Sequence, residues 1–164
     1  MKTVIRNLVI AVLIMAFACG VACSGGAKPK MSAQQIYEDV LAVSGFDTMT
    51  PVNKRDYVEI YGIDANNFAE NDYVWYVSEN VSLNADEVFI ANVENEKYVD
   101  VLVSLLQKHL DTRLSVAETY SPDEAQKLNN VEITTVRNAY GCWVYYCVGE
   151  QYVKMMGTVR GDLG

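Results

Sequence analysis

Apolar positions recur along the chain with two periods, and each period marks a different kind of element. After Ser32, whose hydroxyl can cap a helix, Ile36, Val40, Leu41 and Val43 return at helical spacing until Gly45 supplies a stop. Pro51 to Ile63 is predicted to be a second, shorter helix, with Val52, Tyr57, Ile60 and Tyr61 as its apolar positions and Gly62 as its end. Asp64 to Asp72 reads as polar loop. Two β-rich runs follow, Tyr73 to Val77 and Val88 to Val93, separated by the turn Asn84-Ala85-Asp86-Glu87 and close enough to pair antiparallel. The longest periodic segment is Tyr98 to Glu118. There Val99, Leu102, Leu105, Leu106, His109, Leu110, Arg113, Leu114 and Ala117 follow the i, i+3, i+4 pattern of one helix face. Ser121-Pro122-Asp123-Glu124 announces a short helix to about Leu128, and Asn129-Asn130 ends it. Val131 to Val136 and Trp143 to Val148 are predicted strands joined by a turn through Asn138 and Gly141, with a last helix near Gln151 to Met156.

This order predicts an α+β fold. The expected architecture is an antiparallel sheet of about four strands, in two hairpin-like pairs, packed on one face by the long helix and the shorter ones. A parallel sheet would need a crossover between successive strands, and none separates the members of either pair.

The N-terminus carries a different pattern. Lys2 and Arg6 precede an apolar run of 11 residues, Leu8 to Ala18, the layout of a secretory signal peptide. The run is too short for a membrane-spanning helix, which takes about 20 apolar residues. Gly20-Val21-Ala22-Cys23 then resembles the lipobox of bacterial lipoproteins, in which small residues precede a cysteine that is lipidated and becomes the new N-terminus. Cys23 is the expected lipidation site; Cys19, after Ala16-Phe17-Ala18, is the alternative site, and simple cleavage with secretion the alternative fate. The predicted organisation is a signal peptide over residues 1–22, a flexible tether over 23–32 with Ser24, Gly25, Gly26 and Pro29, and a single domain over 33–164. The predicted location is the extracytoplasmic side of a cell membrane, with the membrane reached through the lipid anchor.

The order of these motifs is similar to a known family. The lipobox, the early amphipathic helix, Tyr61-Gly62-Ile63-Asp64, the strand run Tyr73 to Val77, Asn84-Ala85-Asp86-Glu87-Val88, and a long helix before two terminal strands together resemble the bacterial lipoproteins carrying domain of unknown function 4358. The resemblance extends over about Gln34 to Val153. It implies a cell-envelope lipoprotein and carries no activity or site residue with it. The Gly-rich tail Gly157 to Gly164 departs from the fuller final helix of that pattern.

Charge and candidate chemistry narrow the function further. The chain has 13 Lys and Arg against 21 Asp and Glu, a net charge of −8; without residues 1–22 there remain 11 basic and 21 acidic residues, giving −10. Nucleic acid is therefore not an expected partner, since a phosphate surface needs clustered cations. His109 is the only histidine, which removes multi-histidine metal sites; it reads as a residue at the core margin, with a general base as the other reading. Asp64, Asn66, Glu70 and Asp72 crowd one loop but fail the calcium-loop template, because Phe68, Ala69 and Trp75 occupy positions that need an oxygen ligand, a glycine and a bidentate glutamate. Cys142 and Cys147 lie five apart in a strand, so they face opposite ways and read as small buried hydrophobes. Tyr73, Trp75, Tyr76, Trp143, Tyr145 and Tyr146 could pack inside the sheet or form an exposed aromatic strip for glycan or peptide. No phosphate-binding, dinucleotide or hydrolase motif is present, and no catalytic residue, metal or cofactor is assigned. The expected function is a lipid-anchored binding or envelope-assembly module meeting an envelope protein or glycan. The alternative is a carboxylate-based enzyme acting on wall glycans.

Overall fold

A computed structural model describes residues 30–80 and 84–164; the signal segment, Cys19, Cys23 and the tether up to residue 29 lie outside the described residues. The first helix, α1, spans Ala33–Ser44. Ser32 and Gln35 close a reciprocal capping box at its start, and Gly45 ends it with φ +70°. Strand β1, Met49–Pro51, and helix α2, Lys54–Glu59, come next. Strands β2, Phe68–Ser78, and β3, Glu87–Val93, precede the long helix α3, Val99–Tyr120. Helix α4, Pro122–Leu128, strands β4, Thr134–Asn138, and β5, Gly141–Val148, and helix α5, Tyr152–Leu163, complete the chain.

The five strands form one antiparallel sheet in the order β1-β2-β3-β5-β4. The α+β class and the two expected hairpin pairs are present, and β3 against β5 joins them. The fifth strand, β1, is not among the expected elements, and its last residue, Pro51, is where the second helix is expected to begin. It is three residues long and ends in Pro51, which an edge strand tolerates because its missing N–H faces away from the ladder. Strand β2 also starts earlier than expected: residues 68–72 continue it through an irregularity between Phe68 and Tyr73, where Asn71 takes φ +57°.

Helices cover both faces of the sheet rather than one. Alternation along β3 sends Phe89, Ala91 and Val93 toward α3, where they meet Val99, Leu102, Leu106 and Leu110. Val88 and Ile90 point the other way, into a second layer built by Ile36, Tyr37 and Val40 of α1 and Met155, Met156 and Val159 of α5. The sequence pattern left that second layer open because α5 runs through Gly157 and Gly161, each about 1 kcal/mol less favourable in a helix than alanine. Burial of Met155, Met156, Val159 and Leu163 against α1 and the sheet overrides that cost. An exposed aromatic strip is therefore absent from the described sheet: Trp75, Trp143, Tyr145 and Tyr146 are all buried, and Tyr37 stacks on Tyr76 at 3.9 Å. The two cysteines do point to opposite faces. Cys142 lies in the α3 layer and Cys147 in the α1/α5 layer, both as free thiols, and burial pushes Cys147 up to about 12.

Asp72 joins the layers. It is buried, and its two carboxylate oxygens accept from the Ala33 N–H at 3.0 Å and from Asn92 Nδ2 at 2.9 Å, with Lys30 Nζ at 2.8 Å from the latter oxygen. Asp64 caps its own turn by accepting from the Asn66 N–H at 3.0 Å. Asp64 and Asp72 thus serve as a local cap and an interlayer anchor, and Glu70 is exposed.

Two neighbouring tyrosines give a paired prediction. The Tyr146 hydroxyl donates to Glu87 at 2.6 Å, whereas the buried Tyr145 hydroxyl has no hydrogen-bond partner among the described residues. Tyr146→Phe should cost about 1–3 kcal/mol, because it withdraws a donor from a buried charge. Tyr145→Phe should be neutral or stabilising by up to about 1 kcal/mol, because it removes an unsatisfied group. Urea midpoints of the two variants check the opposite signs; equal losses would mean that Tyr145 has a partner.

Candidate functional site

The site is built around Glu87, the first residue of the central strand β3. Its alternation places it on the same face as Phe89 and Ala91, under α3, and it is fully exclosed from solvent. An acid in that position must be compensated. Donors converge on it from three elements: the indole N–H of Trp75 on β2, the Tyr146 hydroxyl on β5, and His109 and Arg113, one turn apart on α3. His109 Nε2 lies 2.9 and 3.2 Å from the two carboxylate oxygens, and an Arg113 guanidinium nitrogen bonds the second of them.

Burial by itself would raise the Glu87 carboxyl. The charges of His109 and Arg113 and the hydrogen bonds from His109 and Tyr146 overcome it and hold the group down at about 2. Glu87 is therefore a carboxylate, which can only accept, so His109 Nε2 must carry a proton toward it. Burial and the adjacent carboxylate push the Tyr146 hydroxyl far above its ordinary range, which keeps it a donor.

The turn before β3 is fastened by the helices above it. Arg113 also donates to the carbonyls of Ala85 at 3.2 Å and Asn84 at 3.3 Å. From α4, Glu124 accepts from the Ala85 N–H at 2.6 Å, and Lys127 bridges Glu124 and Asp86, 3.1 Å from each. Asn84 closes the turn on itself by accepting from the Asp86 N–H at 2.8 Å. Burial of Lys127 is outweighed by these carboxylate bonds, so its ammonium is stabilised.

Above this charged floor lies a groove of about 300 Å³ between α3, α4 and the β2–β3 end of the sheet. Val77, Val116, Ala117, Tyr120 and Leu128 give it apolar walls, and His109 and Arg113 stand at its base. A smaller hollow of about 200 Å³, bounded by Ile60, Leu105 and Lys108, adjoins it, with Tyr61, His109 and Thr112 common to both. The Tyr61 ring meets the imidazole edge-on at 5.0 Å, and Trp75 does the same at 5.2 Å. Burial, followed by the field of Glu87, raises the Tyr61 hydroxyl and keeps it neutral at the mouth.

Sequence reasoning singled out His109 and placed it at the core margin, where it lies. Its role as a partner of Glu87 was missed, as were Arg113 and Glu87 themselves. The signal was present: Glu87 is an acid in register with Phe89, Ala91 and Val93 on the core side of a strand, and two bases one turn apart sit on the apolar stripe of the longest periodic segment.

The family model for domain of unknown function DUF4358 matches residues 42–148, which hold the whole sheet, α3, α4 and every residue of this site. The chain belongs to that family. The matched region leaves most of α1 and all of α5 outside its bounds. No curated protein and no solved structure gives a significant match. Among the described residues, no helix is long and apolar enough to cross a membrane.

Proposed function

We propose that this DUF4358 chain is a binding module of the bacterial cell envelope, held at the outer side of a membrane through a lipid on Cys23, with the groove beside α3 as its ligand site. The observation that carries the binding part is the pairing of apolar walls with a charged base whose side chains are already fixed by Glu87. A preformed, largely apolar cleft with few convergent polar groups is the usual form of a small-molecule site. The anchor rests on Lys2, Arg6, the apolar run and the small residues before Cys23.

A carboxylate enzyme acting on glycans has less support. Glycoside hydrolysis needs an acid with a raised pKa and a second carboxylate reaching the sugar. Glu87 is enclosed, ionised and saturated with donors, and the groove's own acid, Glu124, is occupied by the Ala85 N–H and Lys127.

Cells grown with labelled palmitate test both halves of the proposal in one preparation. The wild-type chain should carry label that Cys23→Ala removes and Cys19→Ala leaves. Native mass spectrometry of the isolated protein should show a small molecule retained by the wild type and lost from Val116→Trp, which fills the groove. Label persisting in Cys23→Ala would remove that residue as the anchor.

A further inference from the structure

The groove and the adjoining hollow meet at His109, and the polar groups left over there have one sign. Lys108, exposed on the wall of the hollow, has no ion-pair partner among the described residues. The imidazole spends Nε2 on Glu87, and its Nδ1 makes no hydrogen bond to any described residue. The acids nearby are committed: Glu87 to four donors, Glu124 to Ala85 and Lys127, and Asp56, whose field reaches Tyr61, to Arg55 at 3.9 Å. What remains is an apolar trough, walled by Val77, Val116, Ala117 and Leu128, ending at an unpaired ammonium and an unpaired ring nitrogen.

We propose that this site takes an apolar carboxylic acid, its hydrocarbon part in the larger groove and its carboxylate between His109 Nδ1 and Lys108. This deepens the binding reading above and rests on it. In the complex Nε2 keeps its place on Glu87 while the ligand carboxylate accepts from Nδ1, the ring nitrogen that no described residue occupies. The groups facing the ring are Glu87 from β3, Tyr61 from the segment after α2 and Trp75 from β2, with Arg113 one turn on along its own helix and Lys108 lining the same hollow. Arg113 is already matched by Glu87, so Lys108 and the ring share the incoming charge. The chain as a whole is acidic, which makes this local excess of cations a selective feature rather than a consequence of bulk charge.

The probes are octanoate and octanol, equal in chain length and different in the head group. Octanoate should bind the full chain about tenfold more tightly than octanol, the return on one charge-assisted contact set. Because His109 is the only histidine, its two ring nitrogens give the only imidazole signals in an ¹⁵N spectrum, and octanoate should shift the Nδ1 signal more than that of Nε2, which stays on Glu87. Lys108→Glu, at an exposed site, should weaken octanoate by about tenfold and leave octanol within about twofold. Val116→Trp should abolish both. Equal binding of the two probes, or an unmoved Nδ1 signal, overturns the acid assignment while leaving the groove as a binding site. Octanoate binding that survives Val116→Trp overturns the location, and failure of both probes to bind overturns the acid assignment and the binding reading together.

Discussion

Glu87→Gln should cost about 3–5 kcal/mol of folding stability, the range seen when one partner is taken from a buried ion pair and the other left behind. The amide keeps the shape of the side chain but brings an NH₂ group into a space where Trp75, Tyr146, His109 and Arg113 all donate. Urea denaturation at neutral pH measures the loss. A variant with Glu87→Leu, His109→Leu and Arg113→Leu together should be more stable than Glu87→Gln alone, because it leaves no orphaned charge under α3. If the single and triple variants are equally destabilised, the network is structural in the ordinary sense and not retained at a cost.

The same carboxylate gives part of the pH dependence, and its sign follows from the lowered value. Glu87 stands at about 2 in the folded chain, against about 4.3 in an unfolded one. A depressed carboxylate contributes its stability fully above the unfolded value, loses it as the pH falls from about 4.5, and contributes nothing below about 2. The shift corresponds to about 3 kcal/mol across that window. Between pH 5 and pH 2.5 the wild type should therefore lose stability that Glu87→Gln no longer has to lose. Parallel stability curves for the two proteins would contradict an ionised Glu87.

Asp72→Ala should be the second large effect, at about 2–4 kcal/mol, since it leaves the buried Ala33 N–H without an acceptor and removes a charge-assisted bond from Asn92. The loss should be local in its first consequences. Hydrogen exchange should quicken at the amides of α1 before those of α3, because Asp72 meets the first residue of α1 and no residue of α3. Uniform acceleration would show that the anchor serves the whole domain equally. Asn92, left with the Tyr140 carbonyl at 3.1 Å, stays crowded by Gly141, where a Cβ would lie 2.2 Å from its Oδ1 and φ is +141°. That contact fixes the β4–β5 turn to glycine independently of Asp72.

Elements whose own periodicity is strong could be read from the chain: α3 over 22 residues, α1 with its cap, and the apolar runs that became β3 and β5. Elements defined by their neighbours could not. Met49–Pro51 is a strand only because β2 offers it an edge, and Tyr152–Leu163 is a helix through two glycines only because α1 and the sheet cover its apolar side. The site divides along the same line. His109 is conspicuous as a lone histidine, but the meaning of Glu87 depends on β3 being central and on α3 lying above it, which are tertiary facts. The turn Asn84 to Glu87 was legible as a motif; its clamping by Arg113, Glu124 and Lys127 needed the two helices in place.

The Asp72 anchor also sets how the domain would bear load. A pull arriving from the N-terminal side reaches α1 at Ala33, and there the chain is fastened sideways to β2 and, through Asn92, to the middle strand of the sheet. Tension would therefore be shared by the bonds around one buried carboxylate before it could peel α1 from the sheet turn by turn. Force entering from the residues before α1 thus meets a sideways bond to the sheet at the first turn, in addition to the helix's own hydrogen bonds.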